Sequence, residues 1–293
     1  MSVLLSLGHG YSARALTPLL RARGWTVIGT TRDAAKAEAL RAEGVEPLLW
    51  GDDIAPALAR ATHVLTSVAP DADGDPALRL YGGALRGGLG AGQWLGYLST
   101  TGVYGDHAGG WVDEETPLAP STRRGRWRVA AEAEWAALAR ATGAALHVFR
   151  LAGIYGPGRG PFAKVRAGSA RRIVKPGQVF SRIHVDDIAA TVLASIDRPV
   201  AAPGDLRAYN VCDDDPAPPQ DVIGEAARLL GLPMPPEEAF ETAEMTPMAR
   251  SFYAESKRVR NDRIKAELGV ALRFPDYRAG LSDLLARDGG DRV

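Results

Sequence analysis

The chain is poor in the residues that build disulfide frameworks and metal clusters. Its 293 residues include a single cysteine, Cys212, so no internal disulfide and no thiolate metal cluster can form. The five histidines are scattered along the chain, and no two of them stand in an H-x-x-x-H arrangement. We therefore expect no metal site.

An excess of one charge and long apolar runs are also lacking. Lys plus Arg and Asp plus Glu both total 35, which gives a formal net charge of zero. A nucleic-acid-binding protein usually carries a basic excess, so nucleic acid is not an expected partner. No apolar run is long enough to span a membrane, and the sequence starts with a strand pattern where a secreted protein has a basic and apolar leader. We therefore expect no membrane association and a cytoplasmic location.

What the chain does contain is an apolar strand pattern followed at once by glycines. Residues 3–13 read VLLSLGHGYSA, which places Gly8, Gly10 and Ala13 in a G-x-G-x-x-A arrangement. Gly8 allows a tight turn, Gly10 lets a pyrophosphate approach the backbone, and Ala13 lets the following helix pack close to the strand. The free N–H groups at the start of that helix suit phosphates. The motif predicts a dinucleotide-binding site; the alternative is an ordinary strand–helix turn.

Strand and helix patterns alternate through the first half of the chain. Such alternation predicts an α/β fold with a Rossmann-like, doubly wound parallel sheet. The predicted strands are Val3–Leu7, Thr26–Thr31, Pro47–Trp50, His63–Ser67, Trp94–Ser99 and Leu146–Leu151. The predicted helices between them are Ser12–Arg23, Ala34–Ala42, Ala55–Arg60, Pro76–Leu89 and Arg128–Thr142.

The pattern changes after residue 152. Residues 155–182 are rich in Gly, Pro and Arg and predict loops with short strands, and residues 213–219 mark a break. We interpret residues 1–152 as the main dinucleotide-binding domain and residues 153–293 as a small C-terminal substrate lobe, with about 183–212 returning to the first domain. Later predicted elements are helices at Asp186–Ile196, Asp221–Leu230, Ser256–Leu268 and Tyr277–Arg287, and a strand at Tyr209–Cys212.

The end of the second predicted strand decides between the two nicotinamide cofactors. In NAD-type sites an acid about 20 residues past the glycines binds the adenosine ribose. Here the strand ends in Thr31 and Arg32, with Lys36 one turn into the next helix. Because an arginine pairs with a 2′-phosphate that a carboxylate would repel, NADP is favoured over NAD. The alternative is that Arg32 is solvated or pairs with Asp33.

Asp52, after the third predicted strand, is a candidate acceptor for the adenine amino group, and a helix cap is equally compatible with its position. The full set of predicted cofactor-binding residues lies in the turns that follow the first four strands and in the first turns of the helices behind them. They are Gly8, His9, Gly10, Tyr11, Ser12, Ala13, Thr31, Arg32, Lys36, Asp52, Val68 and Ala69.

Five strings of residues follow one another along nearly the whole chain. They are GHGYSA at 8–13, LSTTGVYG at 98–105, FRLAGIYGPG at 149–158, IHVDDI at 183–188 and YNV at 209–211. In this order they resemble the extended short-chain dehydrogenases/reductases, also called NAD-dependent epimerase/dehydratase proteins. The resemblance implies a Rossmann-like domain, a small C-terminal substrate lobe and, as an option, a homodimer.

The resemblance also implies chemistry based on a Ser/Thr, a Tyr-x-x-x-Lys pair and an upstream Asn. By motif position Thr100 corresponds to the Ser/Thr. The Tyr-x-x-x-Lys pair has no counterpart, because no tyrosine lies between residues 104 and 155 and no lysine between residues 36 and 164. The chain therefore resembles an atypical branch of the family. Asp75 either replaces the upstream Asn at the cleft or caps a helix.

Arginines occupy the places of the missing pair. Taking Glu132 as the glutamate that follows the family's lysine puts Arg124 at the tyrosine position and Arg128 at the lysine position. An arginine can hold ribose hydroxyls or an anion, but it cannot act as a general acid at neutral pH. Tyr104, the remaining phenol nearest to Thr100, is either the replacement acid or a packed aromatic residue.

The leading hypothesis is an NADP-dependent oxidoreductase or an epimerase/dehydratase-like enzyme with a degenerate active site. Thr100 would hold the reacting oxygen, Arg128 the ribose, and Tyr104 or water would supply the proton. Arg124 and Tyr155 are the predicted substrate residues, although Tyr155 is equally compatible with a turn. The substrate is expected to be a small polar molecule, with an anion as an option. The alternative is a non-catalytic NADP-binding redox sensor or scaffold.

Overall fold

A computed structural model describes residues 2–198 and 202–290 of the chain. Up to Leu151 its regular elements alternate between strand and helix. The strands are β1 Val3–Leu7, β2 Thr26–Thr31, β3 Glu46–Leu49, β4 His63–Thr66, β5 Trp94–Thr100, β6 Trp111–Val112 and β7 Ala145–Leu151. The helices are α1 Tyr11–Arg21, α2 Ala34–Ala42, α3 Ala55–Arg60, α4 Pro76–Gly88 and α5 Arg123–Thr142, with a 3₁₀ turn at Thr101–Tyr104.

The remaining elements are shorter and less regular in their order. The strands are β8 Gly153–Tyr155, β9 Arg172–Val174, β10 Arg182–His184, β11 Leu206–Val211, β12 Glu237–Ala239 and β13 Arg258–Val259. The helices are α6 Phe162–Arg166, α7 Val185–Asp197, α8 Pro219–Leu230, α9 Pro247–Phe252, α10 Asp262–Leu268 and α11 Tyr277–Gly290.

Seven parallel strands form the central sheet, in the order β11-β7-β5-β4-β1-β2-β3. The strand order reverses between β1 and β4, which makes the carboxyl ends of these two strands the switch point where doubly wound sheets bind ligands. The predicted Rossmann-like architecture is confirmed. The late strand β11 lies beside β7, so this segment returns to the sheet after the chain has left it.

The sheet is buried on both faces because its strands are apolar on both sides. In β1, Leu4 packs on the face covered by α1 and α7, whereas Val3, Leu5 and Leu7 pack on the face covered by α3, α4 and α5. This alternation is the period of two that a strand imposes on its side chains. Burial of each such leucine contributes about 1.5–3 kcal/mol.

A third apolar cluster lies in the lobe outside the sheet. It joins Phe162 of α6, Ala227 of α8 and Leu281 of α11, with Tyr155 at its edge. The lobe therefore has a core of its own beside the Rossmann-like part. The proposed boundary between residues 152 and 153 remains a prediction.

Two predicted helices begin far from their predicted first residues. Helix α5 begins at Arg123 and not at Arg128, because the Thr122 side chain accepts a hydrogen bond from Gly125 N–H and caps the earlier start. The predicted helix Ser256–Leu268 is wrong in its first half. There Arg258–Val259 pairs with Trp111–Val112 as a short parallel strand, and helix α10 begins only at Asp262.

Candidate functional site

The glycine loop, residues 8–13, lies at the switch point and has the geometry that a pyrophosphate needs. Gly8 has φ +76°, and a Cβ on it would lie 2.7 Å from Val68 Cγ2. A Cβ on Gly10 would have 3.8 Å to its nearest neighbour, so the space above Gly10 is open. Helix α1 starts at Tyr11 without a cap from any described side chain. The uncapped N–H groups of its first turn and the open space above Gly10 fit a dinucleotide phosphate.

His9 contributes to this loop only through its backbone. Its side chain points into the protein, where Nε2 lies 3.0 Å from Thr17 Oγ1 and the ring fills the space opposite Gly29. Burial lowers the pKa of His9 to about 4, so the imidazole is neutral at pH 7. The predicted role of His9 in cofactor binding is therefore restricted to its main chain.

The tip of β2 carries an exposed positive charge. Asp33 accepts a 2.8 Å hydrogen bond from Ala35 N–H and caps α2, so its carboxylate is engaged away from Arg32. Within the described part of the chain, Arg32 forms no ion pair, and Lys36 is exposed in the same helix. Arg32 and Lys36, the side chains predicted to bind a 2′-phosphate, are therefore accessible to such a group.

Two acidic residues considered for the site accept hydrogen bonds from the protein itself. Asp52 Oδ2 accepts a 3.1 Å hydrogen bond from Leu49 N–H and closes the turn after β3. Asp75 is fully buried at the N-terminus of α4, where it accepts hydrogen bonds from Ala77 N–H and from Trp135 Nε1. Asp75 is therefore a helix cap and does not face the cleft.

A cavity of about 930 Å³ opens at the carboxyl ends of β5 and β7 and extends to the lobe. We call it the central cavity. Residues predicted from different parts of the chain meet in its wall, which includes Ala69, Thr100, Arg124, Arg128 and Tyr155. The Thr100 side chain accepts a 3.2 Å hydrogen bond from Gly102 N–H, which fixes its hydroxyl at the end of β5.

Arg128 is held at the end of β5 by three neutral acceptors. Its Nη1 donates 2.9 Å hydrogen bonds to the Tyr97 hydroxyl and to the Leu98 carbonyl, and a longer one of 3.4 Å to the Val68 carbonyl. All three contacts use the same nitrogen, and none of the acceptors is charged. The guanidinium therefore keeps its positive charge and further donors for a ligand in the central cavity.

Tyr104 does not reach the central cavity. Its side chain is fully buried, its hydroxyl donates a 2.7 Å hydrogen bond to Asn210 Oδ1, and Arg150 Nη1 donates a 2.9 Å hydrogen bond to the same hydroxyl. Burial also raises the pKa of the Tyr104 phenol to about 12. The structure thus corrects the expectation that Tyr104 supplies the proton, because its only proton is engaged inside the protein.

The two other tyrosines of the predicted site lie in different parts of the protein, Tyr11 in the glycine loop and Tyr155 in the lobe. Tyr11 donates a 3.0 Å hydrogen bond to the Pro157 carbonyl, and the Arg159 guanidinium lies 4.3 Å from its ring centre. Tyr155 is buried in the cavity wall, and its ring packs edge-on against His184. Tyr11 therefore contacts the lobe through its side chain, and Tyr155 serves as a wall of the cavity.

Neither a metal site nor a membrane segment is found within residues 2–198 and 202–290. No group of three or more His, Cys, Asp or Glu side chains in this part of the chain is arranged to hold a metal ion. None of its helices combines the length and the apolar character that crossing a membrane requires.

Comparison with known proteins identifies the family. Residues 90–212 match the NAD dependent epimerase/dehydratase family. Protein YeeZ of Escherichia coli (strain K12) is 30% identical over 297 residues, which cover 94% of this chain and 97% of that protein. The chain belongs to the NAD-dependent epimerase/dehydratase family.

Two further relatives of this family member extend over almost its whole length. The 3-diazoavenalumate denitrifying reductase of Streptomyces sp is 29% identical over 311 residues, covering 96% of this chain and 99% of that protein. The solved structure of a functionally unknown conserved protein from Silicibacter pomeroyi DSS is 58% identical, with a TM-score of 0.90 and coverage of 98% and 99%. The family recognition made from the motifs is confirmed.

The structure adds two basic residues to the cavity of this family member that the sequence reasoning missed. Lys257 is buried, and its Nζ donates 2.7 Å hydrogen bonds to the Gly105 carbonyl and to Glu255 Oε2. Arg182 also lies in the cavity wall, directly before the IHVDDI string at 183–188. Its position next to that string could have identified Arg182 as a cavity residue. Nothing in the sequence identified Lys257, because it falls in a segment whose pattern predicted a helix.

Proposed function

We propose that this protein is an NADP-dependent oxidoreductase that acts on a small polar substrate with an anionic group. The observation that carries the proposal is the arrangement at the switch point. The open glycine loop lies beside the exposed Arg32 at one end and leads to Thr100 and Arg128 in the central cavity at the other. The relationship to a reductase from Streptomyces sp supports the oxidoreductase class.

The cofactor would extend from β2 to β5 along the carboxyl edge of the sheet. The backbone of Gly8 to Ala13 would hold the pyrophosphate, and Arg32 with Lys36 and Thr31 would hold the 2′-phosphate. Val68 and Ala69 flank the path into the cavity. When bound, the reduced nicotinamide supplies a hydride to an electrophilic carbon of the substrate.

Three side chains of the cavity have separable proposed roles. The Thr100 hydroxyl binds the reacting oxygen, and Arg128 binds the nicotinamide ribose through donors that Tyr97 and Leu98 leave free. Lys257 takes over the proton donation that a phenol provides elsewhere in the family. Its ammonium group has three protons, of which two are engaged by the Gly105 carbonyl and Glu255.

A second candidate function is a non-catalytic NADP-binding sensor or scaffold. The observation that favours it is the burial of the Tyr104 hydroxyl between Asn210 and Arg150, which leaves the cavity without the family's usual acid. In this case binding of the cofactor would alter a surface that contacts a partner protein, and no substrate would be converted. A cytoplasmic location and a homodimer remain proposals under both functions.

The deciding experiment combines nucleotide calorimetry with a turnover screen. The oxidoreductase proposal expects NADPH to bind more tightly than NADH, and NADPH absorbance at 340 nm to fall with a substrate from a panel of carbonyl and other reducible acids. Tight NADPH binding without turnover across the panel would favour the sensor. Absence of binding to either nucleotide would overturn both functions.

A further inference from the structure

The wall of the central cavity carries unpaired positive charge. Arg124, Arg128 and Arg182 all line it, and within residues 2–198 and 202–290 none of the three has a carboxylate within 4.0 Å. Elsewhere in the chain arginines pair freely, as Arg150 does with Glu132. The formal net charge of the whole chain is zero, so this excess is local to the cavity.

Arg182 is fixed in a way that preserves its charge. Its Nη1 donates hydrogen bonds of 3.0 Å to the Phe180 carbonyl and of 2.9 Å to the Ala217 carbonyl. Carbonyl oxygens orient a guanidinium without neutralising it. A guanidinium oriented in this way offers its planar fork to a carboxylate or a phosphate.

Asp213, whose N–H donates a 2.7 Å hydrogen bond to the Arg182 carbonyl, forms no ion pair with the guanidinium within the described residues. Asp213 is 1% exposed, and neither of its carboxyl oxygens has a partner within the described residues. Burial raises the pKa of Asp213 to about 8, so the carboxyl is mostly protonated at pH 7. The charge of Arg182 is therefore left for a ligand.

Aromatic side chains face the same space. Trp127, Phe180 and Phe252 line the cavity, and Phe252 at the end of α9 is 61% exposed. No residue of α9 is buried, and the described residues leave most of this ring uncovered. An exposed aromatic ring at the edge of a cavity is a favourable contact for a flat apolar ligand.

We propose that the substrate is an aromatic acid, whose carboxylate or phosphate binds Arg182 and whose ring lies between Phe180 and Phe252. Arg124, exposed at the mouth, attracts the anion, while Arg128 serves the cofactor. This inference rests on the proposed function for the reacting end at Thr100. The binding of the aromatic anion itself does not depend on turnover.

Binding to the protein with and without NADPH tests the proposal, measured by calorimetry and by quenching of tryptophan fluorescence. The probes are trans-cinnamate, phenyl phosphate, the neutral cinnamamide, the non-aromatic propionate, and UDP-glucose. Cinnamate or phenyl phosphate should bind, and the one with the higher affinity shows whether Arg182 prefers a carboxylate or a phosphate. Cinnamamide and propionate should each bind at least about tenfold more weakly, because each loses one of the two contacts.

Variants assign the contacts. Arg182→Gln should lower the affinity for the aromatic anion by about 10- to 100-fold, and Arg182→Lys should retain part of this affinity. Since Arg182 also holds two carbonyls, Arg124→Gln and Phe252→Ala provide tests at exposed positions, with about 3- to 10-fold losses expected. Arg140→Gln, exposed on α5, and Met248→Ala, exposed on α9, are the matched controls and should bind like the wild type.

The outcomes separate this inference from the proposed function. Equal affinity for cinnamate and cinnamamide, or tighter binding of UDP-glucose with no effect of Phe252→Ala, would overturn the aromatic acid while leaving the cofactor proposal intact. Binding of cinnamate with the expected variant effects, in a protein that binds neither NADPH nor NADH, would support the cavity inference and overturn the oxidoreductase.

Discussion

Arg150 Nη2 and Glu132 Oε2 lie 3.0 Å apart and form an ion pair whose side chains are 8% and 9% exposed. Arg150 belongs to β7 and Glu132 to α5, so the pair joins the sheet to the helix that carries Arg124 and Arg128 into the central cavity. Ser99 donates a hydrogen bond to the same carboxylate from the end of β5. The pair thus sets the position of the arginines relative to Thr100.

Glu132→Gln should destabilise the fold because it leaves the Arg150 guanidinium buried without its counter-charge. Removing one partner of a buried pair costs about 3–5 kcal/mol, which urea denaturation measures. The double variant Glu132→Gln/Arg150→Gln should lose less than the sum of the single losses. Glu46→Gln, which breaks an exposed pair with Arg60, is the control and should change the urea midpoint little. Equal effects of the two glutamate variants would contradict the role of burial.

Gly10→Val should abolish nucleotide binding and leave the fold intact. The structure has room for a Cβ at Gly10, but that room is the place proposed for the pyrophosphate. Gly8→Val is the matched contrast. Its φ of +76° and the 2.7 Å approach to Val68 Cγ2 should make it lose stability as well. Calorimetry with NADPH and thermal unfolding of both variants check the pair; tight NADPH binding by a folded Gly10→Val protein would place the cofactor elsewhere.

Local patterns in the sequence were sufficient for the first half of the fold. The bounds of β1, β2, α2 and α3 agree with the predicted ones residue by residue. Each of these elements has its apolar period and its turn residues within a few positions, so no distant contact is needed to define it. The glycine loop was found for the same reason.

Elements that depend on distant partners were missed. Strand β13 forms because Arg258–Val259 pairs with Trp111–Val112, and no local pattern near residue 258 predicts this strand. The same long-range packing brings Lys257 to the cavity and buries the Tyr104 hydroxyl against Asn210. Motif position alone could therefore place Thr100 but could not tell which titratable side chains share its cavity.

Arg32→Ala should weaken NADPH binding by about 1.5–3 kcal/mol, the contribution of a hydrogen bond to a charged group. The affinity for NADH should hardly change, because NADH lacks the 2′-phosphate. Arg41→Ala, exposed on α2 and paired with Glu38, removes a positive charge from the helix that follows Arg32 and serves as the control. Calorimetry with both nucleotides gives the answer, and an equal loss for NADPH and NADH would refute the assignment of Arg32.

Acid should destabilise the protein through its buried imidazoles. Burial lowers the pKa of His147 to about 4, below the usual histidine value of 6.5, and the side chain is 1% exposed. Between these two values the unfolded state binds a proton that the native state does not, so stability falls as the pH falls, by about 1.4 kcal/mol per pH unit for each such histidine. His147→Asn should flatten the change of the urea midpoint between pH 6.5 and 4. An unchanged slope in this variant would show that His147 is not the cause; His107→Asn is the control.

The chemistry should depend on Thr100 and Lys257 and not on Tyr104. With a substrate from the turnover screen, Thr100→Ala should lower kcat by about 10²–10³-fold, because a donor to the reacting oxygen is lost, whereas Thr100→Ser keeps the hydroxyl and most of the rate. Lys257→Met should lower kcat by about 10²–10⁴-fold with little change in NADPH affinity, since it removes the proposed proton donor. Arg128→Ala should instead raise the KM for NADPH, because a guanidinium binds the ribose and does not transfer protons.

Tyr104→Phe should reduce stability and leave kcat near the wild-type value, since its hydroxyl is engaged by Asn210 and Arg150 inside the protein. A Tyr104→Phe protein that is fully stable and has lost turnover would restore the phenol as the acid and exclude Lys257 from that role.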